Sequence, residues 1–391
     1  MSLVGRKIFT FAGRVHHVQR LDGIMQALEA AGANCAYITS DNYLNLDPNT
    51  VHLIQANKKF LHALDYLPSG SSGSVIAWAS QIMKSIEGEH RSDVRTYVEP
   101  FILASSVHEF CETLLAFDQM FEREKPDLVL ILHGANAWGA LIAYLCQARK
   151  IPCMAFSEGL TRNRDQETQN KQSLAAEYIS HLCVWSEAAR SAYLEAGVLS
   201  EKLYVTGVPH LDPWLKERPA KQGKVVAFCP PLTSRYEGDL GKAVSQLAEW
   251  AQKSRVNLVL RFHPFDNVAE HVRQQLVSNP FVQVFTGETL ELLSLADVVI
   301  SQHSTVAVEA LALGVPLVEL DIDGVGVLES LVQQGVAIPV GDGELDKLNK
   351  MLSGELSVSA NLRKAWVEKN IGPLDGKSVE RVVNVIGGIL A

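Results

Sequence analysis

The chain has 391 residues, 47% hydrophobic and 20% charged, with a formal net charge of −9 and a pI of about 5.8. That length suits two globular domains, each with its own core. The acidic balance argues against nucleic acid as a partner, because phosphate-binding surfaces are basic and the densest basic cluster here is Arg162, Arg164 and Lys171.

The six cysteines form no CxxC pair, and most sit in apolar runs. They read as small buried hydrophobes of a reducing cytoplasm. The opening MSLVGRKIFTFAG is too short and polar for a signal peptide. No window supplies the roughly 18–20 apolar residues of a membrane span. A cytoplasmic protein is expected, with room for contact at the inner face of the membrane or with an assembly complex.

In chain order, Lys7–Ala12 reads as a strand. His17–Ala31 has helical spacing and stops at Gly32. Ala36–Thr39 and Val51–Gln55 read as strands. Lys58–Glu124 reads as mostly helical, broken by Pro100 and by the loop Pro68–Gly73. Asp127–His133 is a buried strand, Ala135–Arg149 a helix and Ile151–Phe156 a strand. His181–Ser186 and Lys202–Gly207 are short strands around a helix. After a polar hinge at Lys216–Lys224 the rhythm starts again. Strands are expected at Val225–Cys229, Asn257–Phe262, Val282–Phe285, Val298–Ser301 and Pro316–Leu320. Helices are expected at Gly241–Ser254, Leu290–Leu295, Ser304–Leu313, Leu345–Leu352, Ala360–Lys369 and Ser378–Ile389. The alternation predicts two α/β, Rossmann-like domains with parallel sheets, residues 1–215 and 224–391, the last helix free to pack back on the first domain. Such domains bind ligands at the carboxyl ends of their strands.

Candidate chemistry gathers at those ends. Arg261-Phe262-His263-Pro264 closes a strand, and proline keeps the backbone extended past the histidine. The imidazole suits a phosphate oxygen. Arg261 either shares its side or is a solvated surface group. Ser301, Ser304 and Thr305 lie in a strand–turn–helix, where backbone N–H groups and the helix dipole attract anions; the hydroxyls also serve as plain caps. Glu309 on that helix suits ribose hydroxyls or the surface. Ser157-Glu158-Gly159 ends a strand, and Glu158 could act as a general base. The segment Gly13-Arg14-Val15-His16 follows the first strand, where acceptor or anion loops sit. Pro231 and Thr233 lie in a loop able to wrap a nucleotide. Neither a Walker loop, GxGxxG nor HExxH occurs, and no Asp-x-Asp pair suggests a divalent metal site, so no metal and no cofactor are expected.

The run His133-Gly134, Ile151-Pro152, Ser157-Glu158-Gly159-Leu160 and Val205-Thr206-Gly207 resembles the non-hydrolysing UDP-N-acetylglucosamine 2-epimerases. This chain differs from them in carrying Ser304-Thr305 with the single Glu309 in place of Ser-Gly-Gly and paired glutamates. It also carries His263-Pro264 in place of His-Arg-x-Asn. The His-Pro and Ser/Thr patterns are similar to GT-B transferases of bacterial surface polysaccharides, including sialyltransferases, Kdo transferases and CDP-glycerol glycerophosphotransferases. That resemblance implies a GT-B fold, two Rossmann-like domains facing a central cleft. It also implies a CMP-linked sugar acid (Kdo or a sialic acid) as donor and a growing surface glycan, in lipopolysaccharide or capsule, as acceptor.

The expected roles follow. His263, with Arg261, Pro264, Ser301, Ser304, Thr305, Glu309, Pro231 and Thr233, holds the donor. Glu158 takes the acceptor proton. Gly13, Arg14 and His16 face the acceptor. The alternatives are an epimerase-like isomerase, which turns over UDP-sugar with no acceptor, a CDP-glycerol or UDP-sugar transferase, and a non-catalytic nucleotide binder.

Overall fold

The computed structural model describes residues 3–13, 15–40, 58–71, 107–132, 137–157, 176–216, 224–230, 240–262, 279–301, 305–321 and 329–391, with the single residues 73, 75, 77, 159 and 276. Its strands are β1 (Lys7–Phe11), β2 (Asn34–Thr39), β3 (Phe60–His62), β4 (Leu128–Leu132), β5 (Cys153–Phe156), β6 (His181–Val184), β7 (Leu203–Val205), β8 (Val225–Cys229), β9 (Asn257–Leu260), β10 (Val282–Val284), β11 (Val298–Ser301), β12 (Leu317–Asp321) and β13 (Ile338–Gly341). Its α-helices are α1 (Val15–Ala30), α2 (Val107–Glu124), α3 (Ala137–Ala148), α4 (Glu187–Glu195), α5 (Asp212–Lys216), α6 (Leu240–Ser254), α7 (Thr289–Leu295), α8 (Thr305–Ala312), α9 (Glu329–Gln333), α10 (Asp346–Ser353), α11 (Ala360–Asn370) and α12 (Ser378–Ile389).

The chain divides into two compact units. One comprises Met1–His210 and Lys377–Ala391, the other Leu211–Gly376. The division therefore falls at His210/Leu211 rather than at residue 215, and α12 belongs to the first unit.

Unit 1 is a seven-stranded sheet in the order β3-β2-β1-β4-β5-β6-β7, and unit 2 a six-stranded sheet in the order β10-β9-β8-β11-β12-β13. Every strand pairing among the described residues is parallel. A parallel sheet is covered on both faces, so its inner strands are continuously apolar. Leu128–Leu132, LVLIL, is buried at every position. In each unit the strand order reverses direction at one place, between β1 and β4 in unit 1 and between β8 and β11 in unit 2.

One face of the first sheet packs against α2 and α3, with Phe117, Met120 and Ile142 at the centre. The other packs against α1 and α12, where Leu21, Ile24 and Leu28 meet Val382 and Ile386. In unit 2, one face packs on α6 and α10 through Val244, Leu247 and Leu348. Gly32 ends α1 with φ at +92°. Ala33 N–H donates to Leu28 O at 3.0 Å and Gly32 N–H to Glu29 O at 2.9 Å. These two bonds form the paired Schellman closure that glycine permits.

Two strands escape the sequence reading. β3 lies inside the stretch expected to be mostly helical, and β13 was not anticipated. Both are sheet edges. β3 has three half-buried residues, too few to show a period. β13 contains Pro339, which an edge tolerates because one side of its backbone needs no donor. The strand expected at Val51–Gln55 lies outside the described residues.

Candidate active site

The reversal point between β8 and β11 is where an open parallel sheet opens a crevice for a ligand. Cys229 ends β8 and Ser301 ends β11, and they are register partners. Ser301 also pairs with Glu319 on β12. Directly paired residues of parallel strands share a face, so Cys229, Ser301 and Glu319 form a polar row on one side of the sheet. The opposite side carries Phe228, Ile300 and Leu320 in the apolar core.

All three members of the row are enclosed. Cys229 is 3% exposed, and Ser301 and Glu319 are 0% exposed. The Ser301 hydroxyl has no hydrogen-bond partner among the described residues. A buried hydroxyl without a partner costs free energy, which a ligand or water at this edge would recover.

Arg261 follows β9 directly. Its N–H donates to Phe228 O at 3.0 Å, and its Nε donates to Gly287 O at 3.0 Å. The guanidinium is half-buried, anchored at one nitrogen, and not the solvated group that was one reading of it. Burial pulls it below the usual guanidinium value, while Cys229, Glu309 and Glu288 pull it back up. The Cys229 thiol is pushed up to about 12, first by burial, with Arg261 opposing and Glu309 adding. It is therefore a neutral thiol at physiological pH, not a nucleophile. Gly287 is itself constrained, since a Cβ there would lie 2.5 Å from the Phe285 ring.

The helix after Ser301, α8, begins at Thr305, which is exposed. Glu309, one turn further, is 7% exposed and acts electrostatically on both Arg261 and Cys229. It is an interior carboxylate, not a surface one. A buried carboxylate needs compensation by charge or hydrogen bonds, and Arg261 supplies part of it. The site thus joins a helix N-terminus, a cation, a hydroxyl and two interior carboxylates. Glu319 was missed, although period-2 alternation along Leu317, Glu319 and Asp321 places a charge on the face opposite Val318 and Leu320.

In unit 1, Gly13 follows β1 at the corresponding reversal point. A Cβ on it would come within 3.1 Å of the Phe11 ring. His16, in the first turn of α1, is half-buried and its ring centroid lies 4.6 Å from that of His17. Ser157 follows β5 and is 8% exposed. Glu158, His263, Pro264, Ser304, Pro231, Thr233 and Arg14 lie outside the described residues. Among the described residues no cluster of three or more His, Cys, Asp or Glu is placed to hold a metal ion, and no helix is long and apolar enough to cross a membrane.

The solved structures similar to this chain share this architecture. The UDP-GlcNAc 2-epimerase from Neisseria meningitidis bound to UDP-GlcNAc is 15% identical, with a TM-score of 0.65 over 98% of this chain and 100% of that one. The UDP-GlcNAc 2-epimerase from Methanocaldococcus jannaschii is 18% identical, with a TM-score of 0.62 over 98% of this chain and 100% of that one. The glycotransferase of kitacinnamycin is 16% identical, with a TM-score of 0.58 over 99% of this chain and 100% of that one. Epimerases and a transferase thus have the same GT-B-type fold, two parallel-sheet Rossmann-like domains, and at these identities the likeness speaks for the fold alone. No curated protein matches the sequence.

A family model is more specific, and the one for UDP-N-acetylglucosamine 2-epimerase matches residues 104–387. This overturns the expectation of a CMP-dependent glycosyltransferase. His-Pro and Ser/Thr patterns at strand ends serve phosphate, which CMP-sugars and UDP-sugars both carry, so they cannot tell cytidine from uridine or transfer from isomerisation. The chain belongs to the UDP-N-acetylglucosamine 2-epimerase family.

Proposed function

We propose that the chain is an isomerase that inverts a sugar carbon of a UDP-linked N-acetylhexosamine, with UDP-N-acetylglucosamine as the substrate class. The observation that carries this reading is the family match over residues 104–387, which runs through the whole polar edge of unit 2. In this reading the N-terminus of α8, with Ser304 and Thr305, receives the diphosphate alongside Arg261 and His263. Glu309 accepts from the ribose hydroxyls. Enclosure strengthens each of these interactions, because fewer water dipoles compete.

Inversion at C2 breaks a C–H bond on one face of the sugar and makes one on the other. It therefore needs a base and an acid in reach of opposite faces. Glu158 is the proposed base, and the returning proton comes from a second group or water. Oxidation state is unchanged overall, so the reading calls for no redox cofactor, and no acceptor glycan takes part.

The test is incubation of the protein with UDP-N-acetylglucosamine in D2O without an acceptor, followed by proton NMR. The expected product is the C2 epimer with deuterium at C2. Recovery of unlabelled, unconverted substrate while UDP still binds would contradict the isomerase reading and leave a nucleotide binder.

A further inference from the structure

We infer that Gly287, in the bend after β10, is a positioning residue for the nucleotide site of unit 2: its carbonyl fixes Arg261 so that the end of the guanidinium is left to a ligand's diphosphate. This rests on the nucleotide reading of that site and names what sets its cation in place.

Register places the backbone of Arg261. Phe228 pairs with Leu260, and both belong to the apolar core. Arg261, the next residue, continues the ladder through its N–H to Phe228 O at 3.0 Å. Alternation along a strand puts it on the side of Cys229 and Ser301. On the other flank Leu260 pairs with Val284 of β10, and Phe285 N–H donates to Leu260 O at 2.8 Å. The backbone at the end of β9 is thus held from both neighbouring strands, and the bend starts just beyond Phe285.

The side chain is held at one point. Nε donates to Gly287 O at 3.0 Å, and the two terminal nitrogens make no hydrogen bond among the described residues. A guanidinium bound at Nε keeps its outer pair of nitrogens for a two-pronged contact, which suits phosphate oxygens. Lysine, with one nitrogen, cannot serve the carbonyl and a two-pronged contact together. Glycine is required at 287 for space and not for conformation, since it is not among the glycines with positive φ. A Cβ there would lie 2.5 Å from the Phe285 ring and 2.9 Å from Glu291 Oε2, closer than van der Waals contact allows. The ring and the bend must then part, and the carbonyl that holds Arg261 moves with the bend. Thr286 and Glu288 are exposed, so little of the core moves. A substitution at 287 should therefore reach the ligand through Arg261 and not through the stability of unit 2.

The experiment is calorimetric titration of the full chain with UDP, with urea unfolding measured alongside. The variants are Gly287→Ala, Arg261→Met, the two together, and Arg261→Lys. Gly287→Ala is expected to weaken UDP by about fivefold or more, as a misdirected charge-assisted hydrogen bond should, with its urea midpoint unchanged. The doubly substituted chain should bind no more weakly than Arg261→Met, the non-additivity of residues that act through one another. Arg261→Lys should lose nearly as much as Arg261→Met. Unchanged affinity in Gly287→Ala would overturn the inference and leave the nucleotide reading standing. So would a urea midpoint lowered in step with the affinity, or an equal further loss when Gly287→Ala is added to Arg261→Met. If Gly287→Ala fails to fold, Arg261→Lys decides: full affinity there would show that charge alone suffices and would overturn the inference. Absence of UDP binding by the unaltered chain would instead contradict the nucleotide reading, and this inference with it.

Discussion

The two units have one strand order in common but bury different chemistry. Among the described residues, the polar groups enclosed in unit 1 are neutral hydroxyls and His17, together with the thiols of Cys35, Cys111, Cys146, Cys153 and Cys183. Unit 2 encloses the carboxylates of Asp212, Glu309 and Glu319, and a single thiol, Cys229. Hydroxyls and thiols are cheap to bury, and interior carboxylates are not. Interior carboxylates, with Arg261 acting electrostatically on Glu309, set the strand ends of unit 2 apart as a candidate ligand edge.

High pH should separate the units most strongly. Burial raises the Cys35 and Cys183 thiols from 9.0 to about 12. An unfolded chain ionises them near their ordinary value, so the fold's advantage is intact below pH 9 and declines as pH rises toward 12. Hydrogen exchange across that window should show unit 1 opening before unit 2, and the reverse order would break the comparison.

Next in size, Arg261→Ala removes the half-buried guanidinium that acts electrostatically on Glu309 and donates to Gly287 O. Losing a hydrogen bond from a charged donor costs about 1.5–3 kcal/mol, so unit 2 should lose about that much in urea titration. UDP affinity should fall tenfold or more. A loss under 0.5 kcal/mol, about the scatter of surface substitutions, would show that Glu309 is compensated elsewhere.

Gly32→Ala should cost about 2 kcal/mol and fall on unit 1 alone. It forces an L-residue into the left-handed region and drives a Cβ to 2.7 Å from Val4 Cγ2. Smallest is Gly23→Ala, within α1. The new Cβ would meet Val379 Cγ2 at an ordinary 3.7 Å, so the helix should gain about 0.5–1 kcal/mol. A loss instead would show that the seam between α1 and α12 has no room.

Much of the fold was legible because each inner strand is a short apolar run bounded by a turn signal. Val225–Cys229, Val298–Ser301 and Ser378–Ile389 have the same bounds in sequence and structure. Of the edge strands, β7 and β10 were legible, whereas β3 and β13 were not, because they are buried too little to impose a pattern. In the candidate site, Ser301, Thr305 and Glu309 could be read from a strand–turn–helix rhythm. The register that sets Glu319 beside Ser301 is a long-range fact, as is the bond from Arg381 to Thr206 across 175 positions. The expectation of a cytidine donor failed because the legible motifs suit a phosphate group, which does not carry the base.

The central claim, that the reversal point of unit 2 is the nucleotide site, is tested most directly by hydrogen exchange with and without saturating UDP. Slower exchange is predicted for the amides that close β8 and β11 and open α8, around Cys229, Ser301 and Thr305, and it should disappear in Glu309→Ala. Protection confined to unit 1, or none at a concentration where UDP binds, would contradict it.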